Sequence, residues 1–359
     1  MSFKVGIVGL PNVGKSTLFN AITKSQALAA NYPFATIDPN VGVVQVPDER
    51  LAKLAELENS EKVVPTHIEF VDIAGLVAGA HKGEGLGNQF LSHIREVDAI
   101  LEVVRCFENS DIIHVNGSVD PSRDVETIAT ELMLADLANV EKRLETVGKL
   151  VKAGDREATV KKQVLERYKA ALEKGEMAST VTLTPDEQEC SKDVQLLTTK
   201  PFLYAANSEY DLSLKKYKTY DLRLPTYDLI PIDAKIESEL AQLEDAEKAE
   251  YLTELGLDES GLDKIIKAAY KTLGLITFIT AGPKESKAWT CKAGSLAPQA
   301  AGKIHTDFEK GFIRAEVIQW DKLLEAGGYG GARDKGWLRV EGKEYVVQDG
   351  DVVHFRFAN

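Results

Sequence analysis

Cysteine is scarce in this chain of 359 residues: Cys106, Cys190 and Cys291 are scattered, odd in number and without C-x-x-C spacing. That pattern excludes a disulfide framework and fits unpaired thiols in a reducing compartment. Long apolar runs are missing as well. No run approaches the ~20 residues of a membrane-spanning helix, and the N-terminus lacks the charged-then-apolar order of a signal peptide. A cytoplasmic protein with no membrane partner is therefore expected. Positive charge is in deficit, 43 Lys and Arg against 56 Asp and Glu, a net of −13, which argues against a general nucleic-acid coat. The deficit is uneven. From Thr277 onward 12 Lys and Arg face 11 Asp and Glu, leaving 31 against 45 before it. A partner bearing phosphates would have to meet local basic patches.

What is present is ordinary in amount: 44% hydrophobic and 28% charged residues suit a globular chain with two or three domains. The informative stretch is Phe3 to Thr17, F-K-V-G-I-V-G-L-P-N-V-G-K-S-T. A β-branched apolar run ends in Gly9, four residues intervene, and Gly14-Lys15-Ser16 opens a segment with helical spacing. This is a P-loop between a strand and a helix. Its glycines let backbone N–H groups converge on phosphate oxygens, and the helix N-terminus adds its positive dipole end. Lys15 reaches the terminal phosphates, and the Ser16 hydroxyl suits the magnesium that travels with them.

Later motifs fit the same chemistry. Asn31 to Asn40, rich in Pro and Asn, reads as a loop, and its Thr36 is a candidate second magnesium ligand that closes on metal and γ-phosphate and lets go after hydrolysis. The strand Thr66 to Asp72 ends in Asp72-Ile73-Ala74-Gly75. An aspartate there holds magnesium through water, and a glycine three residues on turns its N–H toward the γ-phosphate. Gly79 to Asn88 holds four glycines, a composition suited to a switch. Leu76 stands where Ras-like enzymes carry the glutamine that orients the attacking water, so water must be positioned by another group. His81 and His114 are the two candidates; His114 lies just beyond the buried strand Ala99 to Phe107, where ligands of a parallel sheet collect.

From Val125 the pattern turns helical. Met133, Leu137, Val140, Leu144, Val147 and Val151 recur at spacings of four and three, and Val160, Val164, Tyr168 and Leu172 continue beyond Gly154-Asp155. The spacing predicts two antiparallel helices zipped as a short coiled coil, in an insertion at about 125–195. Strands resume at Lys200 to Asn207 and Tyr227 to Ile232, the latter followed by Asp233-Ala234-Lys235. A guanine-binding protein would carry N-K-x-D at the first place. Here it reads Asn207-Ser208-Glu209-Tyr210-Asp211, without the lysine and with tyrosine at the third position after Asn207. The missing carboxylate is the one that would accept two guanine N–H groups, a pairing whose loss costs roughly 10⁴-fold in selectivity, so GTP specificity has no support. Glu237 to Leu255 and Leu262 to Leu273 read as helices. From Thr277 short alternating runs punctuated by glycines predict a small β-rich domain. Its Lys303, His305, Lys310 and Arg314, with Trp289, Phe308 or Phe312 as stacking surfaces, are candidates for RNA contact.

Taken together, G-L-P-N-V-G-K-S-T from Gly9, N-Y-P-F-x-T-I-D-P-N from Asn31, D-I-A-G-L-V-x-G-A from Asp72, K-G-E-G-L-G-N from Lys82, R-C-F-E-N from Arg105 and the long run from Ala297 to Ala315 make the chain resemble the Obg-like ATPases of the YchF type. The resemblance implies an α/β P-loop NTPase with a Ras-like, mostly parallel sheet, an inserted antiparallel coiled-coil region, and a C-terminal β-grasp-like α+β TGS domain. The expected boundaries are a nucleotide-binding domain over 1–256, a helical connector over 257–276 and the TGS domain over 277–357. It further implies a Mg²⁺-dependent ATPase switch that associates with the ribosome through its large subunit and with RNA through the TGS domain, and a monomer. Carried over by position, Asn12, Val13, Gly14, Lys15, Ser16, Thr17 and Gly75 bind phosphates, with Lys15 also catalytic. Ser16, Thr36 and Asp72 hold magnesium, Asn207, Ser208, Glu209 and Ala234 bind the base, and His114 activates water. Asn12 is also where related NTPases help to hold K⁺. The family's base motif is N-x-x-E, whereas Glu209 is only two residues after Asn207. A GTP or dual-nucleotide hydrolase and an RNA-binding adaptor with a structural nucleotide are the competing readings.

Overall fold

The computed structural model describes residues 3–27, 40–73, 86–211, 216–217 and 229–358. Thr36, Gly75, Leu76, His81 and the glycine-rich switch as far as residue 85 lie outside the described residues, while residues 86–88 begin the helix Leu86–Arg95. The chain forms two compact units, Met1–Val43 with Glu69–Ile265, and Val44–Ile68 with Ile266–Asn359.

The first unit is built on a six-stranded sheet in the order Val41–Gln45, His67–Asp72, Lys4–Val8, Ala99–Arg105, Phe202–Asn207, Leu229–Ile232. Lys4–Val8 pairs in parallel with both of its neighbours, and the pairings from Ala99–Arg105 onward are parallel too. Such strands are covered on both faces and read as unbroken apolar runs rather than alternations; all seven residues of Ala99–Arg105 are buried. The register puts Asp72 beside Ile7, Arg105 beside Asn207, and Asn207 beside Ile232. The chemically distinctive residues thus end their strands along one carboxyl edge, where parallel sheets collect ligands.

Between the Ala99–Arg105 and Phe202–Asn207 strands the chain makes the predicted helical hairpin, Pro121–Lys152 and Arg156–Glu173. Gly154 turns it with φ of 86°, and Asp155 caps the second helix by accepting from the Ala158 amide at 3.0 Å. The seam holds Val140, Val147, Val164, Leu165, Tyr168 and Leu172, with Met133, Leu137, Leu144 and Val151 packed against it. Val160, expected in the seam, is not among them; Ala158 and Leu165 take part instead. The insertion is pinned by the buried carboxylate of Asp136. It accepts from the Leu197 amide at 2.9 Å, the Thr198 amide at 2.8 Å and the Thr198 hydroxyl at 2.7 Å. Asp136→Ala leaves these three buried donors without their acceptor and is expected to lower the unfolding free energy by about 2–4 kcal/mol. Urea denaturation reads this directly, and a loss under about 0.5 kcal/mol, the size of an ordinary surface change, would show that the carboxylate is no anchor.

The second unit is α+β. Its sheet runs Arg339–Glu341, Phe312–Gln319, Asp351–Phe357, Leu275–Thr280, Ser286–Lys292, Val63–Val64, with Asp351–Phe357 and Leu275–Thr280 parallel at the centre, as in a β-grasp. Alternation divides the strands between two cores. Phe278, Val317 and Val353 pack with Ala297, Ala300 and Ala301 of one helix. Their neighbours Ile279, Ile318 and Val352 pack on the opposite face with Leu51, Leu54 and Leu323. The unit therefore takes in Val44–Ile68, which the linear boundaries had assigned to the nucleotide domain. The reason is local: Val63–Val64 pairs with Ser286–Lys287, and the helix Glu49–Leu57 supplies Leu51 and Leu54. The stretch Glu344 to Val347 makes only an isolated bridge from Val346 to Leu296.

Candidate active site

At the carboxyl edge of the first sheet lies a cleft of about 820 Å³. The P-loop forms its floor through three positive-φ residues, Gly9 at 153°, Asn12 at 62° and Gly14 at 101°. At Gly9 a side chain would meet the Val103 carbonyl at 2.6 Å, and at Gly14 it would collide with the Asn207 amide. Both glycines are thus required by packing as well as by dihedral angle. The helix Lys15–Ala27 starts from this loop, with the Leu18 amide bonded to the Gly14 carbonyl at 3.0 Å.

Lys15 is only 8% exposed and donates to the Leu10 carbonyl at 2.7 Å, curling over the loop. Burial lowers its pKa to about 8, against the opposing pull of the Asp72 carboxylate. Asp72 is shifted the other way: burial raises it, while Lys15 and a hydrogen bond from the Ser16 hydroxyl hold it down. The hydroxyl at the head of the helix and the carboxylate at the end of the next strand are thus already together. Two hard oxygen donors of this kind suit magnesium.

The base side is built around Asn207, whose side chain spans two distant loops. Nδ2 donates to the Val13 carbonyl at 2.9 Å, and Oδ1 accepts from the Ala234 amide at 3.1 Å. Asp233 caps the helix Ala234–Leu240: Oδ1 accepts from the Lys235 and Ile236 amides, and Oδ2 from the Tyr210 amide at 3.1 Å. The predicted helix Glu237–Leu255 is two, Ala234–Leu240 and Asp245–Leu255, the second opened by a capping box between Glu244 and Glu247. Tyr210 turns from the position a guanine-reading aspartate would take and donates its hydroxyl to the Leu255 carbonyl at 2.6 Å. Ser208 and Glu209 both line the cleft. Ser208 is 2% exposed, and among the described residues its hydroxyl has no hydrogen-bond partner.

Asn12, Gly14, Lys15, Ser16, Thr17, Asn207, Ser208, Glu209 and Ala234 all border this one cleft. Val13 is buried beneath it and contributes its carbonyl to Asn207. His114 is not part of the lining. It is 6% exposed; Nδ1 accepts from the Asn116 amide at 3.1 Å, which leaves the ring proton on Nε2 to donate to Asp124 Oδ2 at 2.8 Å. Both nitrogens are committed, so the expected role in activating water is not available to this arrangement of the ring. Its neighbours Ile113, 78% exposed, and Val115 face outward. The P-loop holds this segment, since Asn12 Nδ2 donates to the Ile113 carbonyl at 3.1 Å. Phe107, Asn109 and Ile112 also line the cleft without having been singled out as site residues. Phe107 and Asn109 were present only as part of R-C-F-E-N and Ile112 lies three residues beyond it, and no spacing rule converts these into a wall.

On the second unit, Lys303, His305, Lys310 and Arg314 are exposed, but the aromatics expected to stack on RNA are engaged internally. Phe312 is buried, Phe308 stacks on Phe357 with centroids 3.8 Å apart, and Trp289 packs against the core with Lys287 over its ring. Among the described residues no helix is long and apolar enough to cross a membrane.

Two family models match the chain. MMR_HSR1, described as a 50S ribosome-binding GTPase, covers residues 4–135, and YchF-GTPase_C, described as a protein of unknown function (DUF933), covers 275–358. The ribosome-binding ATPase YchF of Bacillus subtilis (strain 168) is 55% identical, over 99% of this chain and 100% of that protein. The protein of the same name from Escherichia coli O157:H7 is 51% identical over 99% of each. A solved structure, the Schizosaccharomyces pombe YchF GTPase, superposes with a TM-score of 0.88 at 41% identity, over 99% of this chain and 98% of that one. With more than half of its residues identical to such a relative along almost its entire length, this chain belongs to the YchF family.

Proposed function

We propose that the chain is a magnesium-dependent ATP hydrolase that acts as a molecular switch on the ribosome. The observation that carries this reading is the joining of the P-loop to a base site where, among the described residues, no aspartate is placed to read guanine. Asn207 ties the two loops together, the Asp233 carboxylate is consumed by three backbone amides, and Tyr210 points away. Ser208 and Glu209 line the cleft where the base edge would lie. A hydroxyl both donates and accepts, so the unpartnered Ser208 can serve the ring nitrogen and the amino group of adenine.

Ser16 and Asp72 would hold magnesium, with Thr36 as the further ligand. The metal when bound neutralises charge on the β- and γ-phosphates. The chain's own part is to orient: the P-loop amides and Lys15 cradle the phosphates, and Gly75 supplies an amide to the γ-phosphate. Hydrolysis further needs a group for the water that Leu76 cannot hold. His114 fills that role by leaving Asp124 and Asn116, a movement of the segment after Ile112. Potassium is a candidate second cation near Asn12. The ribosome, through its large subunit, is the partner that the relatives' names suggest. RNA would be met on the exposed cations of the C-terminal unit, by a cytoplasmic monomer.

The test is the affinity for ATP and GTP side by side with magnesium. ATP is expected to bind at least about tenfold tighter, equivalent to 1.4 kcal/mol. Equal or GTP-favouring affinity would keep the switch and withdraw ATP as its nucleotide.

A further inference from the structure

Arg105 ends the central strand Ala99–Arg105 and is 1% exposed. Its guanidinium donates three hydrogen bonds, all to carbonyls of the loop that follows: Nε to Phe107 at 3.2 Å, Nη2 to Asn109 at 3.3 Å and Nη1 to Ile112 at 3.0 Å. The Phe107 ring lies against it, 4.6 Å from guanidinium carbon to ring centroid. Phe107, Asn109 and Ile112 are the three residues by which this loop lines the nucleotide cleft.

A guanidinium buried this deeply without a carboxylate partner among the described residues is costly unless its donors are used. A strand end does not require one, since an aliphatic side chain would fill the space. The rigid fork can reach three carbonyls of one loop at fixed angles, which a flexible ammonium cannot. The loop has no strand or helix of its own to set its curvature. We infer that Arg105 is a positioning residue for nucleotide binding: it bends residues 107–112 into the wall against which a purine nucleotide lies. The inference rests on the reading of the cleft as the ATP site. It also divides the segment mechanically. The carbonyls of Phe107, Asn109 and Ile112 are clamped and Asn12 holds that of Ile113, so any release of His114 is confined to residues 114–117, which close on Gly117 at φ of 79° with open space around it.

The test is ATP affinity in Arg105→Lys, Phe107→Ala and the double variant of the full-length protein. Each single change is expected to weaken ATP binding about tenfold while kcat at saturating ATP stays within about threefold, as for loss of ground-state binding. Because both act through one wall, the double variant should bind little worse than either single, a non-additive result. A merely structural arginine would lower the thermal midpoint and leave the affinity of the folded protein unchanged. Wild-type affinity in either single variant, or losses that add, would overturn the inference. Should Arg105→Lys not fold, Phe107→Ala alone decides, since unchanged affinity there removes the wall. Wild-type protein that failed to bind ATP would sink the parent reading instead.

Discussion

Lys15→Ala is expected to abolish ATP binding and not merely turnover. The ammonium is the one side-chain cation that the P-loop folds over its own nest, where the Leu10 carbonyl holds it. An incoming polyphosphate replaces that carbonyl with charged oxygens, and a charge-assisted bond to phosphate is about twice as strong as a neutral one. The depressed pKa makes a second expectation. A lysine lowered to about 8 by burial binds phosphate best while protonated, so ATP affinity should hold below pH 8 and fall as pH rises through it. The sign for folding is opposite: burial of the charged form costs stability below the folded pKa, and that cost is relieved as pH climbs from about 8 toward the unfolded value near 10.4. Equilibrium titration with ATP at pH 7 and pH 9 reads the first, and urea denaturation at the same two pH values reads the second. Wild-type ATP turnover in Lys15→Ala would mean that the phosphates lie elsewhere.

The second large effect concerns His114. Its replacement by alanine is expected to lower kcat by about 10²–10⁴, the range of a lost general base or water-positioning group, with ATP affinity changed less than about twofold. Nothing in the resting geometry has the ring touching the cleft, so ground-state binding has no reason to suffer. The buried Asp124 keeps Arg123 at 3.7 Å and Asn116 at 3.4 Å, so the carboxylate is not stranded by the change. Steady-state kinetics beside equilibrium binding measures both quantities. Unchanged kcat would leave His114 as a structural partner of Asp124, and a parallel fall in affinity would place it among the binding groups.

These two residues show what a sequence can and cannot display. The P-loop was legible because its parts are adjacent, and the strand, glycines, lysine and helix start all fall within fifteen residues of one another. Ser16 and Asp72 were legible one at a time, through motifs whose spacing to each other carries no rule. The role of Asn207 as a strut was not, since its bond to Val13 joins residues 194 apart. His114 was found by its place beyond a strand end, while its commitments to Asp124 and Asn116 depend on a turn that no periodicity marks. Arg105 hid in plain view: its partners lie within seven residues, but an arginine ending an apolar run gives no hint of which way its fork turns. In the C-terminal unit the alternation between two cores followed from period-two patterning. The recruitment of Val63–Val64 did not, because a two-residue strand has no pattern.

That recruitment has a consequence for how the protein is made. Leu51 and Leu54 leave the ribosome early, yet they pack with Ile279, Ile318 and Val352, which are translated more than 200 residues later. At ordinary synthesis rates the interval is roughly 11–60 s. Throughout it the helix Glu49–Leu57 is a nascent amphipathic segment with its apolar stripe uncovered, while the sheet around Lys4–Val8 is still gaining its later strands. The second unit can close only when the last strand, Asp351–Phe357, has been released. Until that strand emerges, the helix keeps an apolar stripe that only later segments of the chain can cover.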